Sequence, residues 1–431
     1  MMIQAMPFVP GQVQGTLCRD GAAIGPEPSI LLLHYDELMH FRQVPAGLVV
    51  VGGAPLSHPM TQLQSLGLPT VVVSERQAAE LRPGMQVLLD GHAGTIRLAG
   101  GETFVEPPPA VGLKPGEPME TADGARVELR ASITGEAGAE DARRVGAAAV
   151  GMVRTEYLAP PHGRMPDVSY YRKAFSAICE AAAPLPVTFR LLDISVDKKP
   201  PWLGQMQGMT GLLGLQGSRL FGVRPVSTVL QAQLAALETV SRDHDLRVLM
   251  PYVASPEEFR HWRIRVRAWL PDRVAIAAMA ETPAAALAMP EWRRNGTRIS
   301  LGCNDLMQCL FGADRDIPEV AGYLDPYSPS LFRFLSLVAN SAEAHLENVQ
   351  ICGLLQQMPG VLSILLGLGY RNFSTSTRLI PSLAQVVHHT RIAEAEQLAA
   401  AVLEASDSGT VRDLLGLPGE SRPATPWLGN A

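Results

Sequence analysis

The chain has 431 residues, 47% hydrophobic and 18% charged, enough for two or three domains and a large core. Its net charge of -6 offers no basic surface for nucleic acid, and no run is long and apolar enough to span a membrane. Five cysteines (Cys18, Cys179, Cys303, Cys309, Cys352) are scattered without metal spacing, and residues 1–12 lack the features of a secretory signal. The expectation is a cytoplasmic protein with reduced thiols.

Residues 1–100 read as a small β/α domain. Apolar runs at 29–33, 47–51 and 70–73 predict buried strands, and 86–89 leads into an Asp90-Gly91 turn. Residues 57–66 predict a short helix: Ser57 can cap it, Pro59 suits a first turn and Gly67 can end it. Residues 101–125 contain Pro107, Pro108, Pro109, Pro115 and Pro118, which predicts a semi-rigid linker.

From 126 to 416, apolar strand-like runs alternate with helical stretches. Strands are predicted at 127–133, 150–153, 187–192, 246–252, 274–280, 298–302 and 349–352. Helices such as 136–147, 226–242 and 256–269 lie between them. The alternation predicts an α/β fold, a (β/α)8 TIM barrel. No clear run marks a fourth strand, and 212–221 is its candidate. Residues 417–431, rich in Pro and Gly, predict a flexible tail.

Several strand ends carry chemistry-bearing side chains. Glu281 follows the apolar run 274–279, and Asn304 and Asp305 follow 299–301. A buried parallel strand ending in a carboxylate delivers that group to the C-terminal rim of a barrel. Two hard oxygens on neighbouring strands suit Mg2+, which takes few carboxylates plus substrate oxygens. Arg154 and Arg190 also end apolar runs, where a guanidinium can grip phosphate or carboxylate. The plain alternative is that each bridges carboxylates such as Glu156 or Asp193. Asn304 and Arg315 are further donors to the same anion.

Cys352 ends another run and is followed by Gly353. A buried lone cysteine is ordinarily a small core residue, but a strand-end thiol above a barrel suits proton transfer. In the small domain, the glycine-containing stretch 49–57 leads to His58 at a helix start. The positive helix end there favours a neutral, nucleophilic imidazole and a phosphate once attached. Its alternative is a capping or surface histidine.

Taken in order, these motifs resemble the phosphoenolpyruvate-utilising enzymes: Enzyme I of the sugar phosphotransferase system, phosphoenolpyruvate synthase and pyruvate phosphate dikinase. The small domain resembles their swivelling phosphohistidine domain through Gly52-Gly53, Ser57-His58, the run from Leu66 to Val72 and Asp90-Gly91. The larger domain resembles their phosphoenolpyruvate-binding barrel. Its matches are the run from Gly151 to Leu158, Arg190 with Asp193-Ile194 and Asp197-Lys198, Glu281 to Ala284, Asn304 to Leu306, Asp314-Arg315 and Cys352-Gly353.

The resemblance implies a role for each residue. His58 is the phosphorylated histidine. Glu281 and Asp305 hold Mg2+. Arg154, Arg190, Asn304 and Arg315 hold phosphoenolpyruvate, and Cys352 moves a proton at C3 of the enolate. It also implies a homodimer formed through the barrel. No ATP-grasp nucleotide-binding domain or carrier-docking insertion is evident, so a separate nucleotide-binding subunit or a phosphoacceptor is expected to complete the cycle. Departures accompany the matches. Gln64 and Gln216 stand where Arg is usual, Leu354 where Glu or Gln is usual, and Ser195 and Val196 where two glycines are usual. The expected function is phosphotransfer through a phosphohistidine, with phosphoenolpyruvate and pyruvate exchanged at the barrel. The alternatives are a catalytically weakened binding or regulatory relative, and a Mg2+-enolate lyase or aldolase acting on a 2-oxo acid.

Overall fold

Short Val- and Leu-rich runs build the first of two sheets. The computed structural model describes residues 2–19, 28–38, 44–52, 57, 60, 63, 67–98, 112–160, 163–196, 198–211 and 213–417. In the first sheet the strands are β1 (Met2–Gln4), β2 (Met6–Val9), β3 (Gln12–Arg19), β4 (Ser29–His34), β5 (Gly47–Val51), β6 (Thr70–Val73), β7 (Gln86–Asp90) and β8 (Thr95–Leu98). Their order is β1-β8-β7-β3-β4-β5-β6-β2. The centre, from β3 to β6, is parallel, with Leu31 opposite Leu48 and Val49 opposite Val71. Every residue of β5 and β6 is buried, as expected of strands covered on both faces.

The second sheet closes on itself. Its strands are β9 (Met119–Glu120), β10 (Arg126–Ile133), β11 (Ala149–Arg154), β12 (Val187–Arg190), β13 (Leu246–Val253), β14 (Ala275–Ala280), β15 (Ile299–Gly302), β16 (Val349–Cys352) and β17 (Asn372–Ser376). Strands β10 to β17 are parallel neighbours in chain order, and β17 pairs with β10 to complete an eight-stranded barrel. Helices such as Val168–Ala182, Val226–Val240, Pro256–Arg267 and Pro329–Ala342 run between the strands. This is the (β/α)8 barrel expected from the alternation of runs. The short β9 adds antiparallel to the start of β10.

Two strand assignments change. Segment 212–221 does not supply a strand: residue 212 lies outside the described residues, and Gly217–Leu220 form a 3-10 turn. Strand β12 pairs directly with β13, leaving no gap to fill. The strand with no sequence signal is instead the last, β17. It reads Asn-Phe-Ser-Thr-Ser, because alternate residues face a polar barrel interior rather than an apolar one. Helices Ile380–His389 and Ile392–Glu404 follow β17 and bury their apolar faces.

One face of the first sheet joins the barrel's outer layer in a continuous apolar cluster that includes Phe8, Met60 and Leu63, and its other face packs a separate cluster around Leu17, Ile30 and Val49. At the junction Gly67, with φ of +67°, lies against Arg378. A Cβ there would come 2.2 Å from the guanidinium carbon. Among the described residues, no helix is long and apolar enough to cross a membrane.

Candidate active site

The C-terminal ends of the barrel strands surround a cavity of about 290 Å³. Arg154, Arg190, Glu281, Asn304, Asp305, Arg315 and Cys352 all line it. These residues lie up to two hundred positions apart in sequence, and parallel strands bring their ends to one rim. His58 lies outside the described residues, as does Gln64.

Arg190 ends β12 and is buried. It bonds to Glu156, and its Nη2 lies 2.9 Å from Asp193 Oδ2. Burial alone would lower its pKa, but Asp193 and Glu156 reverse this and raise it. Asp193 is buried too, which disfavours its charge. Arg190 and Lys198 outweigh that and hold its carboxyl well below the usual range. Lys198 Nζ lies 2.8 Å from Asp193 Oδ2, and its side chain also reaches the cavity. Arg154 sits nearer solvent, 3.2 Å from Glu156 Oε1 and stacked 4.6 Å from the Tyr157 ring centre. Glu156 therefore does bridge the two arginines, while Asp193 joins Arg190 to Lys198. Even so, Arg190 Nε and Glu156 Oε2 are buried with no hydrogen-bond partner among the described residues.

Glu281 follows β14. Its Oε2 accepts a hydrogen bond from the Tyr252 amide at 3.0 Å, and Tyr252 takes the uncommon φ of 44°. Burial, then the neighbouring Asp305 and Asp193, push the Glu281 carboxyl well above its ordinary pKa. Gly302 makes room for it: a Cβ there would stand 2.3 Å from Glu281 Oε1. Asp305 lies in the first turn of helix Cys303–Phe311, where Gln308 Nε2 donates to it at 2.8 Å and Arg315 Nη2 is 3.7 Å away. Gln308 Oε1 in turn accepts from the Arg315 amide at 2.8 Å. Asn304 Oδ1 accepts from the Leu354 amide at 2.9 Å, close against Gly353 at φ +111°.

Cys352 ends β16 with its sulfur buried. Ser300 Oγ donates to it at 3.1 Å, and the thiol lies 3.1 Å from the Leu301 carbonyl. Burial pushes its pKa up to about 12, so it is a neutral thiol at pH 7. Leu354 lines the same cavity, whereas Gln216 is buried beside Tyr252 and away from the cavity wall.

The wall also carries groups that the sequence reading did not single out. Ser374 Oγ is buried without a partner, and Thr375, Thr377 and Arg378 lie beside it. Ser374 and Thr375 lie on β17, which has no apolar run to mark it, and Thr377 and Arg378 on the 3-10 turn that follows. Five cationic side chains (Arg154, Arg190, Lys198, Arg315, Arg378) face three carboxylates (Asp141, Glu281, Asp305) around the cavity. Glu156 and Asp193 offset part of this charge from behind the wall, but the guanidinium forks on the cavity face suit a small, multiply charged anion.

The PEP-binding domain of PEP-utilising enzymes matches residues 111–392. The chain belongs to the PEP-utilising enzyme family. Among relatives of this family, it is 29% identical over 384 residues to the multiphosphoryl transfer protein of Xanthomonas campestris pv. campestris, covering 85% of this chain and 46% of that one. It is 30% identical to the phosphoenolpyruvate-protein phosphotransferase of Bacillus sp. (strain S), covering 80% and 63%. With the phosphoenolpyruvate-protein phosphotransferase of Haloferax volcanii it shares 30% identity, covering 86% and 68%. The chain thus spans about half of the first relative and under two-thirds of the second. Among solved structures, CitE of Mycobacterium tuberculosis in complex with magnesium and pyruvate overlaps at a TM-score of 0.33 and 14% identity, covering 64% of this chain and 98% of that one. That overlap is too low to bear on function.

Proposed function

We propose that this chain transfers a phosphoryl group between phosphoenolpyruvate and His58, with pyruvate formed or consumed at the barrel. The observation that carries the reading is the meeting, in one cavity, of the anion-binding arginines, two carboxylates and a neutral thiol.

Arg154, Arg190 and Arg315 bind the phosphate and carboxylate of the substrate and offset its charge. Asn304, held by the Leu354 amide, adds an oriented amide donor. The donor set fits Mg2+: two carboxylates, one of them with a raised pKa because its charge is buried beside another. Glu281 and Asp305 would hold the ion, which when bound neutralises the charge of phosphate and enolate oxygens.

In the direction of phosphoenolpyruvate use, the His58 imidazole attacks phosphorus and the bond to the enol oxygen breaks. The electron pair returns to enolpyruvate, and the Cys352 thiol gives its proton to C3 to make pyruvate. A thiol with a pKa of about 12 holds its proton until a strong carbon base is present. Solvent then returns a proton to the thiolate. The small sheet packs beside the cavity through Gly67 and Arg378, which supports delivery of His58 to this mouth. Onward transfer requires His58 to swivel to a separate nucleotide-binding (ATP-grasp-like) subunit or another phosphoacceptor. A homodimer through the barrel belongs to the same proposal.

A second reading, a catalytically weakened regulatory relative, draws support from Leu354, an apolar residue on the cavity wall. Incubation with Mg2+ and phosphoenolpyruvate labelled in the phosphate separates the two. Acid-labile label that disappears in His58→Ala supports phosphotransfer. Ligand binding without label, with or without a partner subunit, favours the regulatory relative. Enolate exchange on pyruvate without label points to a Mg2+-enolate lyase or aldolase.

A further inference from the structure

The barrel has a second mouth. At the N-terminal ends of the strands, opposite the cavity described above, lies another of about 140 Å³. Arg130, Arg247 and Arg298 line it, together with Thr188, Gln350 and Asn372. Barrel interiors are ordinarily filled by branched apolar side chains in layers. Here the lowest layer brings three guanidinium groups together.

Only one of the three is neutralised locally. Arg130 Nε lies 2.9 Å from Glu128 Oε2 and Nη1 donates to Gln350 Oε1 at 3.0 Å. Among the described residues, Arg247 and Arg298 make no ion pair or side-chain hydrogen bond. Partial desolvation, then the charges of Arg247 and Arg130, lower the pKa of Arg298, while Glu128 and Glu347, the latter lining the cavity, oppose this in part. Like charges facing one cavity are relieved by an anion between them.

Size limits what that anion is. A cavity of about 150 Å³ accommodates one benzene molecule. The space here suits a single phosphate or a short dicarboxylate. Guanidinium forks match the oxygens of either.

The site also has a route to the opposite mouth. Gln350 and Cys352 both face the axis from β16, one layer apart. Gln350 receives Arg130 and donates through Nε2 to Ser300 Oγ at 3.2 Å and to the Gly151 carbonyl at 2.9 Å. Ser300 then donates to the Cys352 sulfur at 3.1 Å. A continuous hydrogen-bonded chain therefore runs along the axis from Arg130 to the thiol.

We propose that the N-terminal mouth of the barrel binds a small dianion through Arg130, Arg247 and Arg298, and that its occupancy is relayed through Gln350 and Ser300 to Cys352. The anion contacts Arg130, shifts its hold on Gln350 and so alters how Ser300 meets the thiol. The relay, though not the binding site, rests on the proposed role of Cys352 in proton transfer.

Calorimetric titration of the full chain with inorganic phosphate, and separately with malonate, tests the site at fixed ionic strength. Binding is expected to persist in Arg154→Gln/Arg315→Gln, which disarms the other cavity. It is expected to weaken at least ~10-fold in Arg247→Gln and in Arg298→Gln. Arg298 is exposed, so its variant folds even if the other does not. Tighter phosphate or tighter malonate decides between the two anion classes. Binding that survives both lower-mouth variants but disappears in Arg154→Gln/Arg315→Gln overturns the site, as does no binding up to ~10 mM. For the relay, the rate of Cys352 alkylation is read on its own peptide by mass spectrometry. Saturating anion should change that rate in the unmodified protein and leave it unchanged in Gln350→Met. An unmoved rate in the unmodified protein overturns the relay. Neither measurement requires phosphotransfer, so loss of that activity leaves both results interpretable.

Discussion

Ser300 donates a hydrogen bond to the Cys352 sulfur over 3.1 Å, from the neighbouring strand. It is a hydroxyl aimed at a buried thiol, and it partly opposes the effect of burial on that thiol. Ser300→Ala removes this stabilisation of the thiolate and drives the pKa further up. Alkylation of Cys352 at about pH 9 should slow roughly tenfold. An unchanged rate would show that the hydroxyl does not set the acidity of the thiol.

Burial, then the charges of Asp305 and Asp193, disfavour the charged form of Glu281. Its folded pKa is raised, so its contribution to stability is most favourable below the ordinary carboxylate range of about 4.3. That contribution is lost as pH rises through the higher folded value. Glu281→Gln should therefore stabilise the metal-free protein at pH 7 by roughly 0.5–2 kcal/mol. The gain should shrink toward pH 4. Mg2+ should raise the melting temperature of the unmodified protein and not of the variant. Differential scanning calorimetry across pH, with Mg2+ or a chelator, measures both.

Gly302 has no side chain because the Glu281 carboxylate occupies that space. A methyl group would sit 2.3 Å from Oε1. Gly302→Ala should cost about 1–3 kcal/mol in urea unfolding and displace the carboxylate. Loss of Mg2+-dependent stabilisation would accompany it. An alanine variant with full stability and metal response would mean that Glu281 has room to move.

Arg190 lies between Glu156 and Asp193 in a buried site. Arg190→Met leaves those carboxylates without their shared cation, although Lys198 still holds Asp193. The expected loss is about 3–5 kcal/mol, read by chemical denaturation. Phosphoenolpyruvate binding should weaken as well. A stable variant that still binds would assign the guanidinium neither role.

Much of this protein was legible from local pattern. Apolar runs located β5 and β6, whose residues are all buried, and marked seven barrel strands, although β10 shows its core face only as the alternation of Val127, Leu129, Ala131 and Ile133. Polar residues placed just after such runs, among them Arg190, Glu281 and Asp305, mark strand ends, so the candidate site was readable where that rule held. It failed at β17. There Asn372, Ser374 and Ser376 face a hydrophilic axis, so the strand has no apolar run and Ser374 gave no signal. It failed again at 212–221, where short apolar residues around glycines look like a strand but Gly217–Leu220 form a 3-10 turn.

Sequence alone determined the order of the elements and the kinds of side chain at each strand end. Tertiary structure decided which of them meet. Glu281 and Gly302 are neighbours only because β14 and β15 pair in parallel with their ends level. The axial chain from Arg130 to Cys352 exists only because closure of the barrel brings β10, β15 and β16 around one axis. Contacts of that kind depend on register and closure, which are long-range properties, and no local window of sequence contains them.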